Sequence, residues 1–317
     1  MADLRPYGTM RGAIRRLAVA LLLLPALAGA APLDAIFRTL ETYGPLNTQR
    51  VERAALVAAL QAIDPHATLV PKSRPHPAPD ADVPLLHHHE RWPEDIVWLQ
   101  FGGLSTTASN EAITAMRDVL EPTPTGVILD LRKAGGDNLD ALDAVCGLFF
   151  TNDTAIYQLR DGYANVVTTH FARANSPPPT LPPVMLLIDG DTRGASEALA
   201  AVFKRHPGVM LLGAPTRGDS AQRVFLPFSN NEDLYIGTSW IVPIESADYF
   251  PNGVIPHIPI TTNISAIATN TPSPMIAPAP LSTNALPGPS LAERIGDDVV
   301  LRRAADILLG LHALRQP

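Results

Sequence analysis

Three segments of this sequence hold residue types that do chemistry, each directly after a run that reads as a buried strand. The first is Asp130-Leu131-Arg132-Lys133-Ala134-Gly135-Gly136-Asp137. Paired glycines after a strand let backbone N–H groups turn toward a ligand or a developing oxyanion, so Gly135 and Gly136 are oxyanion-loop candidates. The second, Asp189 to Glu197, opens a helix whose N-terminal dipole favours negative charge. The third, Gly213 to Gln222, gathers Thr, Arg, Asp, Ser and Gln in one turn. In open α/β sheets, ligands and catalytic groups collect at such carboxyl ends of strands. Taken singly, each is also an ordinary βα turn, where Gly, Asp and Ser serve conformation alone. His87-His88-His89 is a fourth cluster. Adjacent residues on one strand or helix do not converge on an ion, and no second ligand pair stands at suitable spacing. It reads as solvated surface, with no metal implied.

The elements that position these turns follow from hydrophobic patterning. Ile96 to Phe101 reads as a strand and Asn110 to Leu120 as an amphipathic helix. Gly126 to Leu131, Val184 to Ile188 and Val209 to Gly213 are short, nearly continuous apolar runs, as in strands buried on both faces. Helices are expected over Asp140 to Phe150 and Ala195 to Arg205. Alternating strands and helices imply parallel strands with right-handed crossovers. Val224 to Pro227 and Leu234 to Val242 read as an antiparallel tail to that sheet.

Outside the core, which spans 93–262, residues 31–70 read as an N-terminal segment of two helices. The second closes at Asp64-Pro65, because proline disfavours helical geometry in the residue before it. Residues 71–92 are rich in proline and histidine and read as a linker. Residues 263–289, rich in Pro, Thr and Asn, read as another. The last stretch, 290–317, reads as a docking helix with an apolar stripe. Residues 1–30 have the pattern of a secretory signal peptide: Arg11, Arg15 and Arg16, an apolar run from Leu17 to Ala28, then Ala28-Gly29-Ala30. The alternative is an uncleaved anchor, although the run is short for a membrane span. A periplasmic or extracellular protein, with no span in the mature chain, is expected.

Composition narrows the classes further. Of 317 residues, 24 are Lys or Arg and 31 are Asp or Glu, a net charge of −7 that argues against a nucleic-acid partner. The single cysteine, Cys146, excludes a disulfide framework. Lysine occurs only at Lys72, Lys133 and Lys204, which limits where lysine chemistry can sit.

In combination, these segments resemble the C-terminal processing, or tail-specific, serine peptidases. Ile63-Asp64-Pro65-His66 resembles the family's helix end L-D-P-H. Gly126 to Phe150 is similar to its "glILDLRgNpGG…LF" segment, with the family's Asn falling on Ala134 and its last Gly on Asp137. Ala195-Ser196-Glu197 resembles the end of S-A-S-A-S-E, and Thr216-x-Gly218 the start of T-F-G-K-G-x-x-Q. Gly253-Val254-Ile255-Pro256 is similar to G-I-x-P-D, with His257 for the Asp, and Asp298 to Leu308 to the closing helix. The resemblance implies an α/β core of the ClpP/crotonase kind and serine-peptidase ancestry, with no cofactor.

It also implies a site that this sequence lacks. The family's nucleophilic serine falls on Gly194 and its general-base lysine on Asp219. Those positions lie 25 residues apart, as in the family. The supporting Gln falls on Arg223, with Gln222 one step away. Glycine has no nucleophile, and aspartate has the wrong charge for a role that needs a desolvated neutral lysine. The fallback is Ser196 with Lys133, although two residues along a helix turn a side chain by about 200°. His170, His206 and His257 show no spacing that favours a Ser–His arrangement. The family's PDZ domain is also missing, since the interval from Pro71 to Glu94 is too short for any domain. The expectation is an exported pseudopeptidase that binds an extended peptide or a protein partner. The alternative is an active serine hydrolase with a relocated nucleophile. Oligomeric state is left open.

Overall fold

The computed structural model describes residues 47–74, 83–104, 110–151, 154–162, 165–172, 181–244, 252–260 and 295–315. The expected signal peptide, the first N-terminal helix and the linker at 263–289 lie outside the described residues. The chain divides into two compact units, Met1–Ala62 and Ile63–Pro317. Helix α1, Thr48–Ile63, is the described part of the first. The Asn47 side chain accepts the Arg50 N–H at its start, an N-cap.

A six-stranded sheet carries the three candidate turns. Its strands are β2 (Leu86–Arg91), β3 (Ile96–Phe101), β4 (Gly126–Asp130), β7 (Val184–Ile188), β8 (Val209–Gly213) and β11 (Ile258–Pro259), in the order β11-β8-β7-β4-β3-β2. All neighbours are parallel except β2 on β3. Every residue of β4 and β7 is buried, because alternate side chains enter two different cores. Val127, Leu129, Val184 and Leu186 pack with helices α3 (Leu139–Cys146) and α4 (Gly194–Lys204). Ile128, Met185 and Leu187 pack against helix α5 (Val299–Arg315) through Val300, Leu301, Ala304 and Leu308. Helix α2, Asn110–Leu120, lies beside β2 and β3.

The start of α5 is pinned by charge. Arg132 donates to Asp130 Oδ1 and Oδ2 at 2.8 and 2.6 Å, and to both oxygens of Asp298 at 3.0 and 2.7 Å. Asp298 also caps the helix by accepting the Leu301 N–H.

The strand pairing corrects two expectations. The antiparallel segments do not extend the parallel sheet. They form a separate five-stranded sheet of β1 (Thr68–Pro71), β5 (Ala155–Arg160), β6 (Val166–Phe171), β9 (Ala221–Pro227) and β10 (Glu232–Pro243). The twelve-residue β10 pairs with β9 on one side, and with β1 and then β5 on the other. Strands β5 and β6 gave no sequence signal because their side chains are mostly only partly buried. The expected linker at 71–92 likewise contains β2. Pairing with the rim of β3 overrides the low strand preference of Leu-His-His-His-Glu-Arg, and all three histidines remain exposed. Among the described residues, no helix is long and apolar enough to cross a membrane.

Candidate active site

Helix α4 begins at Gly194, and main-chain carbonyls meet its first turn. A helix N-terminus leaves several N–H groups without partners. Here the Arg193 N–H donates to the Ala134 carbonyl (3.1 Å), Gly194 to Asp219 (2.6 Å) and Ala195 to Gly136 (2.8 Å). The buried Ser196 hydroxyl donates to the Gly135 carbonyl at 2.6 Å. The loop of Gly135 and Gly136 therefore faces α4 with acceptors. An oxyanion site needs donors directed at the reacting atom.

Gly194 has φ +61°, a left-handed conformation, and a β-carbon there would lie 2.0 Å from the Gly136 carbonyl oxygen. The backbone is shaped around the absence of a side chain. Gly136, at φ +103°, is equally constrained, its β-carbon position lying 2.0 Å from the Leu104 carbonyl.

At the position of the family's lysine, a carboxylate takes part in a buried charge network. Asp219 Oδ1 accepts from Arg223 Nε and Nη2 at 2.9 and 2.7 Å. Arg223 donates onward to Asp64, from Nη1 to Oδ2 at 2.5 Å and from Nη2 to Oδ1 at 3.1 Å. Asp64 also accepts the backbone N–H groups of Gly237 and His66. The side chains of Asp64 and Arg223 are 1% and 5% exposed, that of Asp219 20%. Burial alone would raise the Asp64 pKa, but the Arg223 guanidinium and the two N–H donors outweigh it and hold it below its ordinary value. Burial disfavours the Arg223 charge, yet its two carboxylate partners raise its pKa. His66 adds a flank, with Nδ1 3.8 Å from Asp219 Oδ2 and Nε2 3.2 Å from the Gly218 carbonyl.

Glu197 joins the two halves. From α4 its buried carboxylate accepts the Thr216 hydroxyl, the Gly218 N–H (2.6 Å) and the Asp219 N–H (2.7 Å). Thr216 Oγ1 in turn accepts the Val254 N–H at 2.7 Å. Burial pushes the Glu197 pKa up against these donors.

The structure brings Gly194 and Asp219 together through the hydrogen bond between their main chains. Of the two candidates for the Gln position, Arg223 turns to Asp219. The half-buried Gln222 donates to the Asp137 carbonyl at 3.2 Å. Ser196 and Lys133 are not joined. The serine is inside, bonded to Gly135. Lys133 is exposed, and only its backbone N–H is held, by Asp189. The remaining histidines are occupied elsewhere: His170 with Asp143, His206 with the Pro207 carbonyl and His257 with the Leu211 N–H. Cys146 is buried, which pushes its thiol pKa up. Sequence reasoning gave His66 and Glu197 no part in this site. The signal available was a histidine or acid inside a motif, without a partner in sight.

Comparison with known proteins identifies the family and the fold. Over 164 residues the chain is 24% identical to a carboxyl-terminal-processing protease from Synechocystis, an alignment covering 51% of this chain and 37% of that protein. The chain thus matches less than two fifths of the length of that curated relative. Among solved structures, a lipoprotein from Streptococcus agalactiae aligns over 83% of this chain and 95% of its own, at 17% identity and a TM-score of 0.51. A protein from Parabacteroides merdae aligns over 72% and 81%, at 14% identity and a TM-score of 0.54. At these identities the likeness is one of fold. The sequence profile described as "Peptidase family S41" matches residues 96–260, from β3 to just past β11. That stretch is more than half of the 317 residues and contains both halves of the site. This chain belongs to peptidase family S41.

Proposed function

We propose that this protein is an exported pseudopeptidase: it keeps the tail-specific peptidase scaffold, has lost its hydrolytic chemistry, and binds an extended peptide or a protein partner. The observation that carries the reading is Gly194. The nucleophile position has no side chain, and the space a β-carbon would need lies against the Gly136 carbonyl. The second support is Asp219, whose charge and whose tie to Arg223 both oppose a general-base role. Recognition of protein tails by a PDZ module is absent from the reading too. The interval between His66 and β3 holds β1, β2 and eight residues outside the described set.

The rival reading, hydrolysis through Ser196 and Lys133, draws no support from a buried hydroxyl already bonded to Gly135. The test is to purify the protein without residues 1–30 and offer it unfolded proteins and peptides. A fluorophosphonate probe and a Ser196→Ala variant complete the set. Saturable binding without cleavage or labelling is expected. Cleavage that vanishes in Ser196→Ala would overturn the proposal. Export is tested separately, by N-terminal sequencing of the protein recovered outside the cytoplasm. An intact Met1 on cytoplasmic protein would remove that part.

A further inference from the structure

We draw no further inference here: the strongest candidate, the exposed apolar patch of Val166, Val167 and Phe171 along the outer edge of strand β6, carries nothing, because nothing in the structure shows what covers it.

Discussion

The regions around Gly194 and around Asp219 are held in opposite ways. Gly194 contributes no side chain, and carbonyls of Ala134, Gly135 and Gly136 lie against the first turn of α4. Around Asp219 a buried Asp–Arg–Asp network ties the loop to Asp64. The first half is neutral main chain, fixed by shape. The second is charge, fixed by partners. Shape tolerates no added atom, whereas a charge network tolerates no missing one.

That contrast can be broken by substitution, and the largest effect is expected from the charge half. Arg223→Met removes the one cation between two inward carboxylates. It should cost about 3–5 kcal/mol in urea unfolding, as for other buried pairs deprived of one partner. A double change with Asp219→Asn should recover part of the loss. If Arg223→Met unfolds like the parent, the network contributes nothing and the contrast collapses. On the shape half, Gly194→Ser should cost about 2–4 kcal/mol. Left-handed strain supplies about 1–2 of this and displacement of the Gly136 carbonyl the rest. Combining Gly194→Ser with Asp219→Lys should therefore give an unstable protein without peptidase activity. Recovery of activity by that pair would show the loop to be yielding after all.

Smaller effects sharpen the comparison. Ser196→Ala should cost only about 1 kcal/mol, because the Gly135 carbonyl retains the Leu104 N–H. The pH dependence separates the halves without mutation. Asp64 has its folded pKa depressed below 3.8, so its contribution is complete above that value and is lost as pH falls toward the depressed one. Glu197 is shifted the other way. Its folded pKa lies above 4.5, so its ionisation opposes folding as pH rises through that range. Asp64→Asn should flatten the acid limb of a stability profile, and Glu197→Gln should remove the fall that Glu197 ionisation imposes as pH rises above it. An unchanged acid limb in Asp64→Asn would remove the carboxylate from the account.

The parallel core was legible because β4, β7 and β8 are apolar runs buried from both sides, a pattern that does not depend on distant neighbours. Strands β2, β5 and β6 were not, since their pairing partners decide their structure and their side chains are half solvated. In the site, counting along motifs singled out Gly194 and Asp219, which a main-chain hydrogen bond joins. Counting could not choose between Gln222 and Arg223, because the ladder shifts between Gly237 and Ser239 opposite them. Nor does a sequence record which way a peptide plane faces, and the direction of the Gly135 and Gly136 carbonyls decides whether that loop donates or accepts. The contact between His66 and Gly218 spans 152 residues, beyond any local pattern.

Glu197 has one further consequence. Its three hydrogen bonds set the distance between the helix bearing Gly194 and the turn bearing Asp219, and neither of those side chains takes part in them. Alignment of the two positions is thus a property of the chassis and independent of whatever chemistry it carries. A designer who reopened the glycine loop would find the spacing for a new pair of reactive groups already in place.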